Sequence, residues 1–193
     1  MFRRPWGGQV FGPGRIGVPE ILKMSFGASW LRFGSPGTEL WEGEEFADDY
    51  NLPDDGFARV DLRRDTHWEY FYDEFGSALV SVYRRLGQLR RVSRALRGRE
   101  SFYYWQQSLQ GSQLIAFHRH APAGPAGPEE YAMVILNFSG SADTIEVPFP
   151  KAGVWTEKLD ESFRAAPLTV SVASPGDAQR ITVPSNYGYI FIL

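Results

Sequence analysis

Short runs rich in β-branched and aromatic residues follow one another from Ser101 to the C-terminus. Turn signals separate them, among them Gly111-Ser112, the Pro- and Gly-rich stretch 121–128 and Pro175-Gly176-Asp177. The predicted strands are Phe102–Gln107, Gln113–His120, Tyr131–Phe138, Thr144–Pro150, Val154–Leu159, Leu168–Val172, Arg180–Val183 and Tyr189–Leu193. Strands at this spacing predict an antiparallel sandwich or a Greek-key barrel.

Two helices are predicted before these strands. Thr66-His67-Trp68-Glu69 has the spacing of a capping box, which predicts a short helix that starts at Thr66 and ends near Gly76. A second helix is predicted from Ser77 to Leu96, because its apolar residues recur every three or four positions along one side. Gly98 stands where a C-cap glycine belongs. The boundary between the helical and the β part is therefore expected between Arg97 and Glu100.

An acidic stretch precedes the helices. It contains a turn between Gly34 and Gly37, a short apolar pair (Leu40 and Trp41) and then Gly43-Glu44-Glu45. We interpret it as a turn, a short strand and an acidic loop. A strand whose C-terminal end opens into a carboxylate-rich loop is typical of the active-site rim in parallel α/β enzymes.

The composition excludes several classes of function. Lys and Arg number 20 against 23 Asp and Glu, a net charge of −3, so we expect no nucleic-acid partner. Cysteine is absent, which excludes disulfide scaffolds, thiol catalysis and cysteine-based zinc sites. No phosphate-binding or dinucleotide-binding fingerprint occurs, and no cofactor is expected. Residues 1–17 hold no continuous apolar run, so we expect neither a signal peptide nor a membrane span, and a cytoplasmic location.

The order of several motifs resembles the C-terminal portion of the α-amylase superfamily of glycoside hydrolases, including the β-domain found in branching enzymes and trehalohydrolases. Gly37-Thr38 and Gly43-Glu44-Glu45 match the Gly-Thr-Pro and Gly-x-Glu signature of the eighth barrel strand, whereas Glu39 replaces the usual proline. The resemblance covers roughly residues 21–193. The motifs are GSPGTELWEGEEF (34–46), HWEYFYDEFGSALVSVYRRLGQLRRVSRALRGRESFYYW (67–105), LIAFHRH (114–120), YAMVILNFSG (131–140), VWTEKLD (154–160) and ITVPSNYGYIFIL (181–193).

The resemblance implies an α+β chain with two parts. Residues 1–98 would be a remnant of the (β/α)8 catalytic barrel with its eighth strand and helix, and residues 99–193 the all-β C-terminal domain, an antiparallel Greek-key sandwich. The family's nucleophile aspartate, acid/base glutamate and stabilising aspartate lie on earlier barrel strands, and a complete barrel takes about 250 residues. We therefore expect no catalytic residue in this chain and no substrate turnover by the chain alone.

Two functions follow from the resemblance. The first is that of the C-terminal part of an α-glucan-active hydrolase or transglycosylase, similar to α-amylase or branching enzyme. Its implied partners are a starch- or glycogen-type α-glucan, a maltooligosaccharide, or the missing barrel portion. The alternative is a non-catalytic carbohydrate-binding or structural β-sandwich module. The aromatic residues available for such binding are Tyr103, Tyr104, Trp105, Trp155, Tyr187 and Tyr189.

The sugar-cleft candidates are Trp41, Glu44 and Glu45. In a complete barrel Glu44 or Glu45 could orient groups at the sugar cleft, and Trp41 could stack on a sugar ring. A tryptophan in a barrel strand also suits a core position, and an acidic loop is usually solvated. Both alternatives stay open at this point.

A histidine pair and a run of arginines also suggest binding sites. Strand alternation places His118 and His120 on one face, as chelation requires, but among histidines only His67 remains as a further ligand, and no metal is expected. We expect both to be outward polar positions opposite Phe117. The arginines between Arg84 and Arg99 are expected to form the solvated side of the helix.

Overall fold

The structure, a computed structural model, describes residues 43–48, 66–108, 113–159 and 166–193. Its helices are α1 (Glu69–Tyr72), α2 (Glu74–Val92), α3 (Arg94–Arg97) and α4 (Trp105–Ser108), and Glu44–Phe46 form a 3-10 turn. Its strands are β1 (Glu100–Tyr103), β2 (Leu114–Ala121), β3 (Glu130–Asn137), β4 (Asp143–Pro148), β5 (Gly153–Glu157), β6 (Thr169–Val172), β7 (Ala178–Val183) and β8 (Tyr187–Ile192). The predicted strands after the first are thus confirmed to within about two residues at each end, the usual uncertainty of such boundaries.

Six strands form one antiparallel sheet in the order β1-β2-β3-β8-β5-β6, and β4 pairs with β7 in a second sheet. The strand β3 is buried on both faces from Ala132 onwards, because it is central and apolar at every position up to Leu136. The register pairs Met133 with Phe191 and Phe117 with Val134. The mostly antiparallel β architecture expected from the sequence is therefore confirmed.

The first core lies between the two sheets. Met133 and Ile135 of β3 point into it, as do Ile145 of β4 and Ile181 of β7. Trp155 of β5 fills its centre with no exposed surface and donates its indole N–H to the carbonyl of Lys151 at 3.0 Å. Two sheets packed face to face over interdigitating side chains make a sandwich.

The second core covers the opposite face of the larger sheet, and α2 supplies most of its helical side. Leu79 and Leu86 of α2 are fully buried there against Val134 and Ile190 of the sheet. These residues of α2 recur at three- and four-residue spacing, as the sequence pattern requires for one apolar side. The helix and the sheet therefore share one apolar core.

The helix boundaries differ from the prediction. No capping box forms at Thr66: the N-cap position of α1 is Trp68, without a side-chain cap bond. The side-chain cap lies at the start of the next helix, α2. Its N-cap residue is Asp73, whose carboxylate accepts from the backbone N–H groups of Phe75 at 3.0 Å and Gly76 at 2.7 Å. Gly76 consequently lies inside α2 instead of ending the preceding helix.

The predicted helix 77–96 is also interrupted, at Ser93. Ser93 has extended backbone angles, and its hydroxyl accepts from the N–H of Leu96 at 3.2 Å to cap α3. The carboxylate of Glu130, at the start of β3, bonds the Ser93 hydroxyl and accepts from the N–H of Ala95 at 3.1 Å. The contact with Glu130 therefore stabilises the interruption between α2 and α3. Gly98 occupies the C-cap position of α3, as predicted.

The predicted strand 102–107 ends early. The strand β1 stops at Tyr103, and the N–H of Tyr104 donates to the carbonyl of Ala116 at 3.0 Å. The side chain of Tyr104 enters the first core, and the chain then turns into α4, which leaves Trp105 61% exposed. Docking of Tyr104 thus ends the strand where sequence pattern alone continued it.

The predicted eighth barrel strand at Leu40 and Trp41 lies outside the described residues, and the division into residues 1–98 and 99–193 stays a prediction. In the described segments, no helix is long and apolar enough to cross a membrane.

We predict that Leu86→Ala lowers the free energy of unfolding by about 2–5 kcal/mol, the usual cost of truncating a buried leucine. Leu86 is 1% exposed and lies in the core that α2 shares with the sheet. Urea denaturation monitored by circular dichroism measures the change. Gln88→Ala, on the exposed side of the same helix, is the matched control and should stay within about 0.5 kcal/mol. Equal stability of the two variants would contradict the shared core.

Candidate functional site

The acidic turn predicted to rim a sugar cleft is folded tightly on itself. The carbonyl of Gly43 accepts from the N–H groups of Phe46 at 3.2 Å and Asp48 at 2.8 Å. Gly43 has φ +84°, and a Cβ at that position would lie 2.6 Å from the Cβ of Asp48. This closeness and this backbone angle require glycine.

The turn is anchored to the helices by a buried carboxylate. The side chain of Asp48 is 1% exposed and lies 2.6 Å from Nδ1 of His67, whose backbone N–H also donates to it at 3.2 Å. Phe46 is buried beside this pair, with its ring centroid 5.6 Å from Trp68 and 5.8 Å from Phe71. The observed role of the turn is thus to dock on α1 and α2.

The three sugar-cleft candidates are not brought together by the described structure. Trp41 lies outside the described residues. Glu44 and Glu45 are consecutive in the 3-10 turn, and Glu45 is half-buried. Their part in a sugar cleft stays a prediction.

A second group of candidate residues lies on the first-core side of the larger sheet, near its β1 edge. We call it the histidine face: Glu100, Phe102, His118, His120 and Tyr131. Register places Glu100, His120 and Tyr131 in one cross-strand row and Phe102 beside His118 in the next. Alternation along β2 puts both histidines on the face of Leu114 and Ala116, which belong to the first core.

His118 is surrounded by aromatic rings. Its Nδ1 lies 2.8 Å from the hydroxyl of Tyr104, and its ring stacks on Phe102 at 5.7 Å between centroids. The expectation that His118 is an outward polar position is therefore wrong, because Tyr104 and Phe102 enclose it. Phe102 itself stays 53% exposed, and the sequence analysis did not single it out. Its cross-strand pairing with His118 is the signal that could have found it.

His120 belongs to a charged network. Its Nδ1 lies 2.6 Å from Glu100, its Nε2 lies 3.1 Å from Glu129, and its ring stacks on Tyr131 at 4.3 Å. Lys151 forms an ion pair with Glu129. The hydrogen bond from Lys151, with a second from His120, lowers the pKa of the Glu129 carboxyl. His120 is thus half-buried and engaged through both ring nitrogens, which corrects the expectation of an outward polar position.

The environment of His118 sets its charge. Burial, with the neighbouring charge of His120, lowers the pKa of His118 to about 4, and burial raises the pKa of Tyr104 above its ordinary value. His118 is therefore a neutral imidazole at pH 7. In the tautomer in which the Tyr104 hydroxyl donates to Nδ1, the Nε2–H is left as a donor beside the Phe102 ring.

The remaining aromatic candidates divide between core and surface. Trp155, Tyr104 and Tyr189 are buried, whereas Tyr103 and Trp105 are exposed. Tyr103 stacks on Phe117 on the other face of the sheet, with 4.8 Å between ring centroids. Tyr104 is thus buried between two exposed neighbours in the sequence. As for metals, no group of three or more His, Asp or Glu side chains suited to hold an ion occurs within the described segments.

The two antiparallel sheets, packed over one apolar core, form a β-sandwich-like arrangement of strands. Residues 105–193 match the family model described as alpha amylase, C-terminal all-beta domain. This match confirms the all-β part of the resemblance noted in the sequence.

Among solved structures, the chain is similar to the gamma-CGTase from alkalophilic Bacillus clarkii, with a TM-score of 0.58 and 14% sequence identity. The match covers 89% of this chain and 23% of that one, so the chain spans less than a quarter of the length of that protein. At this identity the likeness shows the fold. A comparison with curated proteins gives no sequence match.

We predict that His118 makes the fold less stable in acid. Its folded pKa of about 4 lies below the ordinary value of 6.5, so the unfolded chain binds this proton more readily than the folded chain. The contribution is fully present above pH 6.5 and is lost as the pH falls towards 4. Urea denaturation at pH 7 and pH 5 should show a smaller loss for His118→Gln than for the wild type. The interval from pH 9 to 8 is the control, because the imidazole is almost entirely neutral there in both states. An equal loss from pH 7 to 5 in both proteins would refute the assignment.

Proposed function

We propose that the chain is the C-terminal part of an α-glucan-active glycoside hydrolase or transglycosylase, and that it does not cleave glucan by itself. The observation that carries this proposal is the match of residues 105–193 to the alpha-amylase C-terminal domain. The sequence order in front of that domain, GSPGTELWEGEEF and then an amphipathic helix, supports it, because it resembles the last strand and helix of the catalytic barrel.

The exposed surface around α1 is consistent with a missing neighbour. Trp68 is 59% and Tyr72 79% exposed, although both are large and apolar. Phe46 and Phe71 continue this aromatic cluster inwards. Exposed aromatic groups of this kind are usual at protein interfaces. In the proposed enzyme, the rest of the barrel covers them, and residues 1–98 complete the barrel.

We expect this chain not to cleave glucan because the catalytic residues of the family belong to a complete barrel. About 250 residues are needed to form one, and the resemblance places the nucleophile and the acid/base residue on its earlier strands. We predict that the purified chain releases no reducing ends from maltoheptaose or soluble starch above the level of a heat-denatured sample. Product that increases with time and in proportion to the concentration of this chain would contradict the prediction.

The alternative function is carbohydrate binding, and the histidine face is the observation that favours it. Phe102 presents a half-exposed aromatic ring, the kind of surface on which a sugar ring stacks, and a neutral imidazole lies beside it. Glu100, whose side chain is exposed, supplies a hydrogen-bonding carboxylate one row further along the strands. A stacking ring with flanking polar groups suits a maltooligosaccharide.

Under this alternative we predict that Phe102→Ala abolishes saturable binding of maltoheptaose, because the ring supplies the stacking surface. Calorimetric titration measures the binding. Val154→Ala is the matched control, since Val154 is 58% exposed on β5 and outside the histidine face. Absence of binding by the wild type would leave the domain a structural module, and binding by Phe102→Ala equal to that of the control would exclude this face.

The expected cytoplasmic location and lack of cofactors stay predictions.

A further inference from the structure

A depression of about 530 Å³ lies at the end of the larger sheet and shares Glu100 and His120 with the histidine face. We call it the arginine depression: Arg94, Arg97 and Arg99, Glu100 and His120, with the loop 121–126 as its outer wall. Its volume falls within the range of about 300–1,000 Å³ that small-molecule clefts occupy. Its lining combines three guanidinium groups with an outer wall of alanine, proline and glycine residues.

The wall of the depression is held in place by Arg94. One terminal nitrogen of Arg94 donates to the carbonyl of Pro122 at 3.1 Å, and the other donates to the carbonyl of Pro128. Gly127 has φ +138°, and a Cβ there would lie 3.3 Å from Cδ of Arg94. Glycine therefore lets the arginine cross the base of the loop. Carbonyl acceptors fix the guanidinium without neutralising its charge.

The other two arginines keep donors available. Arg97 and Arg99 are exposed, and neither forms an ion pair with any residue that the structure describes. Among the described residues, the side chain of Arg97 makes one hydrogen bond, in which its Nε donates to the carbonyl of Ser93 at 3.2 Å. Its two terminal nitrogens have no such bond among the described residues.

The charge of the depression is opposite to that of the chain. Three arginines and one glutamate line it, which gives 3 − 1 = +2, whereas the whole chain carries −3. Glu100 is itself bonded to His120. Of the nearby carboxylates that do not line the depression, Glu129 pairs with Lys151 and also contacts His120, and Glu130 caps α3. The surplus of positive charge is therefore a property of the residues that line the depression.

We propose that the arginine depression binds a small phosphomonoester, the class of anion that includes hexose phosphates. A dianionic phosphate matches the local charge of +2, and guanidinium groups bind phosphate oxygens in bidentate fashion. The depression holds one small ligand, and a nucleic acid would need a longer basic surface. The proposal does not depend on the function proposed above.

The test is calorimetric titration of the whole chain at pH 7 and low ionic strength, with inorganic phosphate, glucose 6-phosphate and glucose as probes. Saturable binding of one phosphate-bearing probe per chain is expected, and none of glucose. Arg97→Gln and Arg99→Gln should each weaken it about tenfold, since a hydrogen bond to a charged group contributes about that much. Arg91→Gln is the control, because it removes the same charge from an exposed position of α2 that does not line the depression.

Each outcome decides the proposal. Equal affinity for both phosphates would assign the site to the phosphate group, and tighter binding of glucose 6-phosphate would add a sugar contact; either supports it. Lack of saturation, or equal weakening by Arg91→Gln and Arg99→Gln, would overturn it. Arg99 makes no hydrogen bond or ion pair with a described residue, so its replacement keeps the fold and decides the case even if Arg97→Gln unfolds the chain.

Discussion

Burial of β3 on both faces is the constraint on which the rest of this structure depends. Met133 and Ile135 need a cover on one side, and Val134 and Leu136 need one on the other. The antiparallel pair β4 and β7 covers the first side, and α2 covers the second. Neither cover can be removed without exposing an apolar surface of the central strand. A helix that the sequence resemblance assigns to a catalytic barrel is in this way also part of the β-domain core.

The candidate sites lie where this double cover ends. Along β2, the side chains on the sandwich face change from Leu114 and Ala116 to His118 and His120, which lie in the half that pairs with β1. Aromatic and charged partners replace aliphatic ones there. His118 stays neutral because it is partly buried, whereas His120 is held by two carboxylates. The strand β2 thus supplies apolar core side chains at one end and polar side chains at the other.

The sequence predicted the elements that depend on local pattern. The boundaries of strands such as β2 and β3 were predicted to within about two residues, because these strands are rich in apolar residues and have turn residues at both ends. The break at Ser93 could not be predicted, because Glu130, 37 residues later, caps the new helix. The end of β1 depends likewise on the docking of Tyr104, and the environment of His118 depends on that tyrosine. The sugar-cleft candidates were chosen by resemblance, and the described residues show only that their turn docks on the helices through Asp48 and His67.

The most direct test of the account is to identify what accompanies this domain in the cells that make it. An antibody raised against residues 113–193 would isolate the protein, and peptide mass spectrometry would identify the rest of the material. The account predicts peptides of a catalytic barrel, either in the same polypeptide, with a mass well above 21.8 kDa, or in a bound partner. Recovery of the 21.8 kDa chain alone would contradict it and would favour an independent binding or structural module.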